Sequence, residues 1–340
     1  MIKRIFRLVN VAAGQYFGVE LVKHRDLYPW QITATRHGNS PPAKELPKEA
    51  REYLRPNNPR LLELKARYSN FDPKVTTAEV WQDGIIQASD LASFRRDNPY
   101  VWQVRGRKQN LNDLSYALTY YALKASDSTR DVLASLDEDG LFGAHLFQAD
   151  GRNISRDLLD SVREIEFIRK HVNIDAPDTN ILDIGAGYGR LVYRLCQTSP
   201  TGVRVFGTDA IAESTFLSEF YLRFRSADRA TVIPLDEIDA FFASTSIKLA
   251  TNIHSFSECA TDAIEWWVQR LSAAGVPNLL VIPNQEDPKT KRCLTSAGLD
   301  MEPIFERHGY GVKVREPRFS DPLLQSYGVD PIFISLFEHR

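Results

Sequence analysis

A histidine and a glutamate four residues apart, His254 and Glu258, stand where an apolar run ends in LATNIHSFSECA, residues 249–260. Leu249, Ala250 and Ile253 read as strand interior, so His254 falls at the strand's end, where the chain must turn. A histidine there can take the proton of a hydroxyl as that oxygen attacks an electrophile, because imidazole titrates near neutral pH. Glu258 is close enough in sequence to orient the ring if a helix begins at once. The other reading is a His-Ser-Glu turn network that only caps a helix starting near Ala260. The residues alone leave both open.

A second stretch, ILDIGAGYGRLVYRL (181–195), suggests what the electrophile is. A buried strand runs into Gly185, Gly187 and Gly189, and a helix opens directly after them. Glycine lets a backbone turn tightly and lie against a ligand, and the helix start offers free N–H groups. A dinucleotide loop has the spacing GxGxxG, with pyrophosphate on the helix N-terminus. Here the spacing is GxGxG, and Asp183 precedes the first glycine by two positions. A carboxylate there repels pyrophosphate and suits a cation, such as the amino group of S-adenosylmethionine beside its sulfonium. Asp209, about 20 residues past the glycines at the end of VFGTDA, can accept two ribose hydroxyls or can cap the next helix. Leu235 and Asp236, followed by Glu237, fall where such a fold encloses an adenine; equally, the two acids suit a helix N-terminus.

These residues need a scaffold, and the chain supplies a regular one from about residue 150. SRDLLDSVREIEFIRKHV (155–172) reads as an amphipathic helix capped by Ser155. Strand and helix signals then alternate: strands at 180–185, 203–210, 231–235, 249–253, 278–284, 311–317 and 331–339, with helices at 190–199, 213–225, 262–275 and 302–310. That alternation predicts a doubly wound, mostly parallel sheet of α/β class. Upstream, LNDLSYALTYYALKA (111–125) puts Leu111, Leu114, Leu118, Tyr121 and Leu123 at helical spacing. The reading divides the chain into a mainly helical region, 1–145, for acceptor recognition or oligomerisation, and a catalytic domain, 146–340.

Bulk properties narrow the partners. With 340 residues, 43% of them hydrophobic, the chain can bury a large core, and a net charge of −2 argues against nucleic acid. Three cysteines (Cys196, Cys259, Cys293) without CxxC spacing fit a reducing cytoplasm rather than a disulfide framework. No window reaches transmembrane length, although the basic, partly apolar N-terminus allows weak peripheral contact with a membrane surface. Asp236, Glu237 and Glu258 lack a ligand spacing, so no metal is expected.

Several segments in order, ISRDLLDSVREIEFI, ILDIGAGYGRL, DAIAESTFLSEFYLRFR, PLDEI, NIHSFSECATDAIEWW, VPNLLVIPN and RHGYGVKVREPRFSDPLLQSYGV, resemble the sugar O-methyltransferase family from about residue 145 to 330. Members of that family occur in antibiotic deoxysugar and surface-polysaccharide gene clusters. The resemblance implies a Rossmann-like class I methyltransferase fold with a seven-stranded sheet. It also implies S-adenosylmethionine as donor and a glycosyl hydroxyl, on a sugar or glycosylated metabolite or polysaccharide, as acceptor. Asp183, Gly185, Gly187, Gly189 and Asp209 match the donor-site pattern; the role of His254 and Glu258 is inferred from position. Two other classes stay in view: a catalytically silent protein of the same fold acting as a scaffold, and a nicotinamide-dependent sugar oxidoreductase. The second expects GxGxxG, which is absent, and a Tyr-x-x-x-Lys base, a spacing that Tyr120 and Lys124 have only upstream of the glycine loop.

Overall fold

The computed structural model describes residues 44–340 apart from 77–79, 82–84, 97 and 102–108, and of residues 1–43 only Val9, Ala13 and Tyr16. Apart from those three residues, the basic N-terminal segment read above as allowing weak peripheral membrane contact lies outside the described residues.

The apolar runs from residue 180 onward pair into one seven-stranded sheet. Its strands are β1 (Asn180–Ile184), β2 (Arg204–Thr208), β3 (Ala230–Val232), β4 (Leu249–Ile253), β5 (Asn278–Ile282), β6 (Tyr310–Pro317) and β7 (Phe333–His339). They lie in the order β3-β2-β1-β4-β5-β7-β6. β1 to β5 are parallel, and β7 runs antiparallel between β5 and β6. The order reverses between β1 and β4, which is the switch point where an α/β sheet opens a crevice at its carboxyl edge.

Before the sheet come α1 (Pro59–Ser69), α2 (Gln109–Ala125), α3 (Asp127–Ser135) and α4 (Arg156–His171). The crossovers carry α5 (Arg190–Thr198), α6 (Ala212–Phe224), α7 (Ile238–Ser244), α8 (Thr261–Ala273) and α9 (Glu302–Arg307), and α10 (Pro322–Tyr327) lies between β6 and β7. Strand residues alternate between two apolar layers. Leu182, Ile184, Phe206, Ala250, Leu279 and Val281 belong to one apolar cluster with residues of α1, α6, α7, α8 and α9. Ile181, Val205, Leu249, Leu280 and Ile282 belong to another with residues of α2, α3, α4 and α5. Being covered on both faces is why these strands read as unbroken apolar runs.

Local chemistry fixes the ends of α4. Ser155 Oγ accepts the Leu158 N–H at 3.2 Å, Asp157 occupies the first turn, and Arg169, Lys170 and His171 the last. The run TVIPL forms strand only to Val232, because Pro234 has no N–H to continue the ladder; Leu235 opens a single 3₁₀ turn. In α2 the buried face differs from the leucine spacing. Leu114 and Tyr121 are 43% and 49% exposed, whereas Tyr116, Thr119, Tyr120 and Leu123 are buried. Thr119 Oγ1 accepts the Val329 N–H and Tyr120 donates to Asp150, so these two hydroxyls have partners and can be covered.

Residues between Tyr53 and Tyr68 pack onto α6. Tyr53 stacks on Phe216 and Phe220, Arg60 makes two bonds to Glu219 (2.6 and 3.0 Å), and Tyr68 Oη lies 2.9 Å from Thr215 Oγ1. Among the described residues no helix is long and apolar enough to cross a membrane.

Candidate active site

The glycine loop is shaped by the strands beside it. After β1 the chain turns through Gly185 (φ 69°), Gly187 (57°) and Gly189 (84°), a region that disfavours any side chain. Gly185 and Ala186 donate their N–H groups to the Thr208 carbonyl at the end of β2. A Cβ on Gly185 would fall 2.0 Å from Ser255 Oγ, so this glycine is required by close approach to the turn after β4.

Two carboxylates flank the loop. Asp183 points into the β1/β4 seam, where Thr251 Oγ1 donates to it at 2.6 Å. Asp209, just past β2, accepts the Gly187 N–H at 2.9 Å on Oδ2 and the Ile211 N–H at 2.9 Å on Oδ1. Burial pushes both carboxyls up to about 7, outweighing those hydrogen bonds.

His254 ends β4 with φ 69° and ψ −35°, a left-handed backbone rare outside glycine. Its N–H donates to the Ile282 carbonyl at 2.7 Å, which ties the turn to the end of β5. Glu258 does not touch this ring. Its Oε1 accepts from Asn284 Nδ2 at 2.8 Å and its Oε2 from Trp81 Nε1, while His254 Nε2 lies 3.2 Å from Asp330 Oδ2. The expected Glu258–His254 pairing is thus replaced, because the 3₁₀ turn Ser255–Glu258 carries the carboxylate toward β5.

Asp183, Gly185, Gly187, Asp209, His254 and Glu258 all line one cavity at the carboxyl edge of the sheet. The other three expected residues do not. Gly189 is the N-cap of α5, and a Cβ there would meet Ser218 Oγ at 2.7 Å. Leu235 is fully buried, with its N–H on Tyr68 Oη. Asp236 is held by Arg67 through two bonds of 2.7 and 2.8 Å, so its charge is spent on α1. The structure adds residues that the sequence reading did not single out: Trp81, Tyr100, Arg156, Asp160 and Asn284. Asn284 follows β5 directly, and the strand-end rule could have found it. Trp81 and Tyr100 have no such signal; their rings lie 5.0 Å apart, and Tyr100 Cδ1 is 3.7 Å from where a Gly187 Cβ would be.

Strand order, the antiparallel β7 insertion, a glycine loop after β1 and a carboxylate after β2 define a Rossmann-like class I methyltransferase fold. No family model matches the chain, and no curated protein does. Among solved structures it is similar to magnesium protoporphyrin IX methyltransferase from Synechocystis PCC 6803 with bound SAM, at 13% identity over 66% of this chain and 97% of that one, TM-score 0.39. It is also similar to a SAM dependent methyltransferase from Aquifex aeolicus, at 15% identity over 51% and 87%, TM-score 0.38. A third is the cyclase SpnF, at 12% identity over 66% and 96%, TM-score 0.39. Likeness at this level carries nothing about substrate or reaction.

Proposed function

We propose that the chain is a cytoplasmic S-adenosylmethionine-dependent O-methyltransferase that modifies a hydroxyl of a sugar, glycosylated metabolite or polysaccharide. The observation that carries this reading is the pair of buried carboxylates, Asp183 and Asp209, raised to about 7 on either side of a glycine loop in one cavity. Two adjacent acids favour a ligand with positive charge and hydroxyl groups, and disfavour a pyrophosphate. The residues fit this donor. Each Asp209 oxygen accepts one backbone N–H and keeps a lone pair for a ribose hydroxyl. Asp183 is fixed by Thr251 and can face an ammonium.

The donor, when bound, supplies a methyl group on a sulfonium, which leaves as a neutral thioether. The chain's tasks are then alignment and proton removal. His254, on the strand across the switch point from the loop, takes the acceptor's proton. The Trp81 indole beside Glu258 and Asn284 offers an apolar ring face next to acceptors and donors, a combination suited to a sugar ring. In this reading residues 1–145 supply the acceptor surface and the sheet domain, 146–340, the donor site; a homo-oligomer is compatible with it.

Calorimetric titration with S-adenosylmethionine, run beside NADH and repeated on Asp209→Ala, tests the donor site. Micromolar binding of the first ligand alone, lost in the variant, is expected and justifies an acceptor screen over sugars. Binding of NADH instead, or of neither with the fold intact, brings forward the oxidoreductase or the scaffold.

A further inference from the structure

Two non-glycine residues with left-handed backbones meet beside the cavity. His254 has φ 69° and Asp330, in the turn between α10 and β7, has φ 47°. Such conformations persist only where the surroundings over-determine them, and they gather at functional sites. Here the contact between the two is the 3.2 Å approach of His254 Nε2 to Asp330 Oδ2.

Asp330 is held from behind. Its side chain is 1% exposed, and Oδ2 accepts from Arg318 Nη1 at 2.6 Å, while the same nitrogen bonds the Asp330 carbonyl at 3.2 Å. Arg318, fully buried, also donates to Glu164 of α4 at 3.1 Å and lies 3.5 Å from Asp160. Arg156 Nη2 stands 3.7 Å from Asp330 Oδ1. With two guanidinium groups at hand Asp330 is a carboxylate, and a carboxylate only accepts. Of the two neutral tautomers, the one with Nε2–H suits that carboxylate and leaves the lone pair on Nδ1. That nitrogen is buried and has no hydrogen-bond partner among the described residues. The other charged groups lining the same cavity around His254 are Glu258, occupied by Trp81 and Asn284, Arg156, Asp157, Asp160, Asp183, Arg190 and Asp209.

We infer that Asp330 is the positioning carboxylate of His254, fixing its Nε2–H tautomer and presenting Nδ1 as the proton acceptor, with Arg318 as the anchor. The consequence for turnover rests on the methyl-transfer reading above; the tautomer itself does not. As the acceptor oxygen bonds the methyl carbon and the carbon–sulfur bond breaks, the hydroxyl proton passes to Nδ1, and Asp330 faces the resulting imidazolium.

The test is ¹⁵N NMR of the full chain labelled at histidine, with the His254 signals assigned by their loss in His254→Gln. The wild type should show the Nε2–H tautomer at the signals so assigned. In a folded Asp330→Asn the preference for the Nε2–H tautomer should be lost, and Asp330→Glu should restore most of it. An Nδ1–H tautomer in the wild type, or an unchanged tautomer in a folded Asp330→Asn, overturns the inference. Once an acceptor is in hand, Asp330→Asn should lose about 10- to 100-fold in kcat with donor affinity unchanged. Should the tautomer hold while His254→Gln turns over at the wild-type rate, the base reading fails and the Asp330 role in turnover falls with it.

Discussion

If His254 is the base proposed above, removing its imidazole separates chemistry from binding at this site. His254→Ala leaves Asp183, Asp209 and the glycine loop untouched, so donor affinity in calorimetry should persist. Turnover should fall about 10²- to 10⁴-fold, the range for a lost general base. A variant that turns over normally would return the segment 252–258 to a purely structural turn. Residues of this kind were legible because they follow a strand directly: Asp183, Gly185, Gly187, Asp209, His254 and Glu258 all come from strand ends or the loops after them, and all line the cavity. Partners were not legible. Arg67 claims Asp236 from 169 positions away, and Trp81 claims Glu258 from 177. Local spacing cannot reveal which distant charge will satisfy an acid.

At the level of elements, the glycine loop and the turn after β4 form one joint. Gly185→Ala meets two costs: a left-handed backbone, about 1–2 kcal/mol for a residue with a Cβ, and a clash with Ser255, whose Oγ and Cβ lie 2.0 and 2.4 Å from the added atom. Gly275→Ala carries only the first, since its φ is 64° and nothing lies within 4 Å of the added Cβ. The denaturant midpoint of Gly185→Ala should therefore drop further than that of Gly275→Ala, with donor binding lost. Ser255→Gly added to Gly185→Ala should recover part of the drop; no recovery would mean that the two segments do not press on each other. Elements with two apolar neighbours, such as β1, β4 and α4, were readable from periodicity alone. In α2 the leucine spacing misjudged the face, because threonine and tyrosines with satisfied hydroxyls were buried in preference to Leu114.

For the whole molecule, the cavity carboxylates set a pH dependence of stability with a definite sign. Asp183 and Asp209 have a usual value of 3.8 and are pushed up to about 7 by burial, so between those values the folded chain binds protons that the unfolded chain has lost. Stability of the ligand-free protein therefore falls as pH rises through that window. Glu138 works the other way. Burial pushes its carboxyl up, but the Arg95 charge beside it prevails and holds it at about 2, so its contribution is complete above about pH 4.5 and is lost only in acid. From about pH 5 to about pH 7 Glu138 is ionised in both states, and the cavity pair governs the difference between the wild type and variants at 183 and 209. Asp183→Asn and Asp209→Asn should each flatten the decline in urea midpoint between about pH 5 and about pH 7.5. A decline that stays as steep in both would remove the buried pair as its source. A cationic donor reverses the balance, since it favours the ionised form: its binding should release protons near pH 6 to 7 and weaken as pH falls. Titrations in buffers of different ionisation enthalpy read that release directly. The same two carboxylates that cost the empty fold stability near neutral pH are, on this account, what makes it select a positively charged ligand.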